Sequence, residues 1–111
     1  MTKKHIFHLN ILLLQEAQIW VAQCLDYDIV AHGKTIPDAM SSFERVFAGQ
    51  VVLDVEDGKA PLDDILPAPI EYWKLFENAL RIADKKRFNV PEEMDPAWYI
   101  SATAEDLRIA T

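Results

Sequence analysis

The sequence predicts an α+β domain: a three-stranded antiparallel sheet with one long helix packed on a face, in the order β-β-β-α, then a second helix and a C-terminal strand. Three observations predict it. Residues His5–Leu14 and Trp20–Leu25 alternate with the period of two expected of half-buried strands. A glycine turn and a capped helix start follow at Gly33, Thr35, Asp38 and Ala39. Beyond them, Ile36, Ala39, Met40, Phe43, Val46 and Phe47 recur at spacings of three and four, the stripe of an amphipathic helix.

The first strand carries Phe7, Leu9, Ile11 and Leu13 on one face, and Ile6, His8, Asn10, Leu12 and Leu14 on a mixed opposite face. Lys3 and Lys4 before an apolar run superficially mimic a signal peptide. His8 and Asn10 interrupt that run, and no small-residue cleavage pattern follows it. Leu14–Gln18 reads as a hairpin loop. In the second strand Trp20, Ala22 and Cys24 share a face, with Val21 and Gln23 on the other. Asp26-Tyr27-Asp28 supplies turn-forming acids before a short third strand, Ile29–His32. Gly33 suits the positive φ that a sharp exit from a strand often needs. Thr35 is the N-cap, its hydroxyl able to accept from the Asp38 amide, and Pro37 sits in the first turn, where no amide bond is lost.

Past Gln50 the first helix turns apolar on more than one side, through Val51, Val52, Leu53 and Val55. A helix hydrophobic most of the way round is buried on most of its circumference. Val51, Val52, Val55, Trp73 and Phe76 are therefore expected to form an oligomer interface, and a homodimer or larger assembly is expected. Gly58 ends the helix as a C-terminal cap. Pro61, Pro67 and Pro69 punctuate a linker, and a second helix is expected over Ile70–Arg87, with Lys85-Lys86-Arg87 complementing its dipole. Phe88–Pro96 reads as a loop. Trp98, Ile100 and Ala102 alternate with Tyr99, Ser101 and Thr103 and predict a strand, whereas Ala104–Leu107 fits a turn of helix equally well.

At 111 residues the chain reads as one domain, 1–111, with a core over 5–58 and an extension over 59–111. Eighteen acids against eleven lysines and arginines leave a net charge of −7. That argues against direct nucleic-acid binding and suits a basic protein partner. One cysteine cannot make an internal disulfide, so a reducing, cytoplasmic location is expected, with no membrane association.

The run CLDYDIVAHGKTIPDAM resembles the signature of the HicB-like family: a strand, an acidic turn, a second strand, then G-x-T-x-x-[DE]-A opening a helix. The likeness spans roughly residues 5–50 and rests on Gly33, Thr35, Asp38 and Ala39 after a WVA strand. It implies a partial RNase H-like core in which a further strand follows the helix, a role for which the Trp98 segment is available. It also implies an antitoxin that binds a small basic ribonuclease toxin of the HicA type and blocks its catalytic surface. The chain departs from many such proteins after Gly58, where no helix-turn-helix or basic DNA-binding strand is visible.

No catalytic, metal or cofactor site is expected. A nuclease of RNase H type needs converging carboxylates, and His5–Leu14 contains neither Asp nor Glu. Asp38 is taken by the helix cap and Glu44 lies on the polar side of the helix. A zinc site from His5, His8, His32 and Cys24 is opposed by the odd separation of His5 and His8, which sends them to opposite faces. Cys24 and His32 are the pair that adjacent strands could bring together, but Asp26 and Asp28 would raise the thiol's pKa. Two alternatives remain: a small-molecule pocket lined by Trp20, Trp73 and Trp98, or a purely oligomeric protein.

If Thr35 caps the helix, Thr35→Ala should cost about 0.5–2 kcal/mol of stability. A thermal melt unchanged within error would remove the cap from this account.

Overall fold

The computed structural model describes residues 3–83, 85–90 and 98–110. The sheet is larger than the sequence predicts. Six strands, β1 (Lys3–Glu16), β2 (Ile19–Cys24), β3 (Val30–Gly33), β4 (Leu80–Ala83), β5 (Lys86–Phe88) and β6 (Trp98–Ile109), form one mixed sheet in the order β3-β2-β1-β6-β4, with β5 also on β6. The expected three-stranded antiparallel sheet is thereby corrected, while the α+β class and the long helix on a face stand.

β1 is the hub. It pairs antiparallel with β2 from Ile11↔Cys24 to Glu16↔Ile19, and parallel with β6 from Lys3↔Trp98 to Leu13↔Ile109. The register on β6 slips once, between Leu9 and Asn10, so that Glu105 is an extra residue. This bulge explains why Ala104–Leu107 did not read as strand. Ala102, Ala104 and Leu107 all face the core, at spacings of two and then three.

Helix α1 (Ile36–Glu56) covers one face. Its Ala39, Met40, Phe43, Phe47 and Val51 pack on Phe7, Leu9, Ile11 and Leu13 of β1 and on Ala22 and Cys24 of β2, the faces assigned from the alternation. Phe47 meets Phe7 edge-on at 5.5 Å between ring centres. The helix ends in a Schellman motif: Gly58, at φ +74°, donates to the Val55 carbonyl, and Lys59 donates to that of Asp54.

Helix α2 (Ile70–Glu77) lies against the opposite face, where Phe76, with Tyr72 and Trp73 beside it, covers Leu12, Leu25 and Leu14. It is much shorter than the expected Ile70–Arg87, and two interactions explain why. Asn78 turns its side-chain amide back to the Lys74 carbonyl, 3.2 Å away, ending the helix. Arg108 of β6 then donates to the Phe76 carbonyl at 2.9 Å and lays its guanidinium 4.3 Å from the Phe76 ring centre. The free side of β6 offers main-chain partners that compete with continuation of the helix, and Leu80–Ala83 and Lys86–Phe88 take them as β4 and β5. Lys86 and Arg87 are thus strand residues, not a helix end. The loop expected over Phe88–Pro96 falls mainly on residues 91–97, outside the described ones.

The linker from α1 to α2 crosses between the two faces beside the β2–β3 turn. Leu62, at φ +62°, is buried under α1 with its amide bonded to Asp54 Oδ2 at 2.8 Å. Further along, Asp28 N–H donates to Leu66 O and Ala68 N–H to Leu25 O, at 2.7 and 2.9 Å. The second bond takes the Leu25 carbonyl that would otherwise receive the Asn10 amide of β1. Asp26 stands in for it: Oδ1 accepts from Asn10 N at 2.6 Å and Oδ2 from Asn10 Nδ2 at 3.0 Å.

Asp26→Ala should therefore cost about 1.5–3 kcal/mol, the scale of hydrogen bonds to a charged group. Chemical denaturation reads this directly. A loss under about 0.5 kcal/mol would mean that water replaces the carboxylate without consequence.

Candidate functional site

The four motif residues form one strand-to-helix junction. Thr35 has extended backbone angles and its Oγ1 accepts from Asp38 N at 3.2 Å, as its N-cap role requires. The Ala39 amide donates to the Thr35 carbonyl at 2.9 Å, the first helical bond. Gly33 serves differently from the expectation. Its φ is not positive; a side chain there would run into the Ala39 amide nitrogen and the Asp38 carbonyl carbon. The glycine is required because helix backbone lies directly against strand backbone.

The five expected interface residues separate. Val51 and Val55 are on the buried side of α1, and Phe76 is buried against Leu12 and Leu25. Val52 and Trp73 are half-buried. The two helices occupy opposite faces, so α1 and α2 do not combine into one patch. Exposed large apolar side chains are spread over the molecule: Val46 and Leu53 on α1, Leu66 in the linker, Ile70 and Leu75 on α2, Leu80 and Ile82 on β4, and others on β1, β2, β3 and β6, with Leu53 57%, Leu66 77%, Ile70 60% and Leu80 65% exposed.

The three tryptophans do not share a pocket. Trp20 packs on the α1 side and Trp73 on the α2 side. Trp98 sits at the far end of β6 under the Lys3 ammonium, 5.2 Å from the ring centre. Cys24 and His32 also part company. Cys24 points into the α1 core, while His32, in register with Val21, points to the opposite face and is exposed.

Several charged groups pair within the chain. Glu44 Oε2 accepts from the Asn89 amide at 3.1 Å. Glu105, the bulge residue, meets His8 Nδ1 at 2.7 Å and Lys85 Nζ at 3.3 Å, which holds its carboxyl below the usual range, with the His8 bond the main cause. Asp106 holds Arg108 at 3.0 Å. Among the described residues, no three of the His, Cys, Asp and Glu side chains converge as a metal site, and no helix is long and apolar enough to cross a membrane. The role of Asp26 was not legible in the sequence, where it reads as a turn acid. Its only signal was Asn10, a polar residue inside an apolar strand. No family model matches the chain, and no curated protein or solved structure matches it significantly.

Burial pushes the Cys24 thiol up to about 12 from an ordinary 9.0, with Asp26 adding to the rise. Below pH 9 the thiol is protonated whether the chain is folded or not, and its contribution to stability is complete. As pH rises from 9 toward 12, the unfolded chain loses the proton and the folded chain keeps it. Stability therefore falls, by about 1.4 kcal/mol per pH unit for one such group. Tyr27 is raised in the same direction by burial and by Asp26, so the comparison must isolate Cys24. Between pH 9 and 11 the melting midpoint of the wild type should fall more steeply than that of Cys24→Ala. Parallel slopes would show that the thiol is solvated.

Proposed function

We propose that this chain is a non-catalytic, HicB-like protein-binding domain that holds a small basic ribonuclease of the HicA type and blocks its catalytic surface. The observation that carries the reading is the junction of Gly33, Thr35, Asp38 and Ala39. At the place where β3 feeds α1, Gly33 is required by the approach of helix backbone and Thr35 by the cap, while Asp38 contributes its main-chain amide and Ala39 is fully buried. Two further features support it. A strand that follows α1 in the chain, β6, lies beside β1, in line with the further strand that the resemblance implies.

Charge is also segregated. Glu56, Asp57, Asp63, Asp64, Glu71 and Glu77 are exposed from the end of α1 through the linker to α2, against Lys59 and Lys74. Exposed acids in such excess speed encounter with a basic partner and select for it. Self-association is a second reading with its own observation, the neighbouring exposed Leu66 and Ile70 at the end of the linker. A free protein heavier than one chain by light scattering is its signature.

Mixed with a purified HicA-type ribonuclease at equal concentration, the chain should stop RNA cleavage, and binding should weaken with added salt. Reversing two exposed acids together, Asp64→Lys with Glu71→Lys, should weaken binding about tenfold, or about 1.4 kcal/mol. RNA cleavage that persists at full speed in excess of the chain would end the proposal.

A further inference from the structure

β1 is 14 residues long, yet β2 covers only its second half. The β2 pairing begins at Ile11, whereas β6 pairs with β1 from Lys3 onward. Among the described residues, Lys3–Leu9 thus has a strand neighbour on one side only. The phase of the ladder identifies the groups on the open side. Asn10 directs both its main-chain groups toward the β2 side, accepting from Leu25 N and donating to Asp26 Oδ1. In a strand, the N–H and C=O of one residue point to the same side, and those of the next residue to the other. Lys4, Ile6 and His8 therefore share the phase of Asn10. Their main-chain groups face the open side, and none has a main-chain partner there among the described residues.

Such an edge is a template for an added strand. Its side chains specify what kind. Lys3, Lys4, His5 and His8 fall within one short stretch, and β1 carries no acid before Glu16. The Lys4 ammonium is held over the Tyr99 ring at 5.9 Å, so the positive charge has a fixed place along the strand. Ile6, 46% exposed, lies between Lys4 and His8 on the same face. The complement is an extended segment with an acid opposite Lys4, since His8 already meets Glu105, and an apolar residue opposite Ile6. A second copy of this chain is a poorer occupant. Antiparallel two-fold pairing centred on Ile6 would set each Lys4 opposite a His8 whose ring already has Glu105 as its partner, and would offer Lys4 no acid.

We propose that the Lys4–His8 edge of β1 binds an extended acidic segment of another protein, which adds a strand to the sheet. This inference does not depend on the toxin-blocking reading, because it uses a different surface of opposite charge.

The test is a titration of the isotope-labelled full chain, followed by NMR, with a terminally blocked peptide of about seven residues alternating Glu and Val. Saturable shifts should appear at the amides of Lys4, Ile6 and His8, with hydrogen exchange there slowed by about tenfold or more. N-methylating the peptide at alternate residues, on the side that meets β1, should abolish both effects, while a Lys–Val peptide should bind about tenfold more weakly. Lys4→Glu should narrow or reverse that preference. Equal binding of the N-methylated peptide would reduce the site to charge attraction and overturn the proposal. So would an absence of saturable shifts. Protection of the three amides that grows with protein concentration in the free chain would award the edge to a second copy instead.

Discussion

Everything in this molecule depends on the parallel pairing of β1 with β6. The ladder joins the first strand to the last, from Lys3↔Trp98 to Leu13↔Ile109. Parallel neighbours cannot be joined by a tight turn and need a long crossover. Here the crossover includes the β2–β3 hairpin, both helices and the β4–β5 edge, so every other element is placed by where it leaves β1 or approaches β6. The bulge at Glu105 lets the ladder run on without losing the core, since it turns Leu107 back to the side that Ala102 and Ala104 already face.

A central strand paired on both sides has two faces to bury, and the chain covers them unequally. One face carries the full length of α1, whose Phe47 packs on Phe7 and, with Phe43, on Phe88 of β5. The other receives only the eight residues of α2, which cover Leu12 and Leu25. The first half of β1 is left with Ile6 and His8 exposed. Charge follows the same division. Exposed acids accompany the end of α1, the linker and α2, while Lys3 and Lys4 lie at the start of β1 and Lys85, Lys86 and Arg87 at β5, on the other side of β6. A chain with a net charge of −7 thus presents two surfaces of opposite sign, and opposite signs select different partners.

The junction beside the β2–β3 turn holds the two faces together. Asp26 takes the Asn10 amide, the Leu25 carbonyl is released to Ala68, and the linker is pinned where it passes from the α1 side to the α2 side. Asp54 does the corresponding work under α1, receiving the amide of Leu62 and the side chain of Gln50. In each case a carboxylate satisfies a main-chain donor that irregular backbone would leave alone.

Local chemistry settled the first half of the fold in advance. The faces of β1 and β2, the Thr35 cap, most of the stripe of α1 and the Gly58 stop are matters of a few neighbouring residues, legible from spacing and turn chemistry; Val46, expected in the stripe, is exposed instead. Tertiary structure decided the rest. Helical periodicity continues past Glu77 through Ala79, Leu80 and Ala83, and only the free edge of β6, with Arg108 holding the Phe76 carbonyl, makes those residues strand. The alternation of β6 breaks at a bulge whose purpose appears only beside β1. Gly33 shows the same division within one residue: its place in a motif was visible, but its reason was not, because the Ala39 backbone that excludes a side chain there arrives by packing. Sequence spacing encodes contacts made within a turn or a strand; contacts between segments far apart in the chain exist only once the sheet has brought them together.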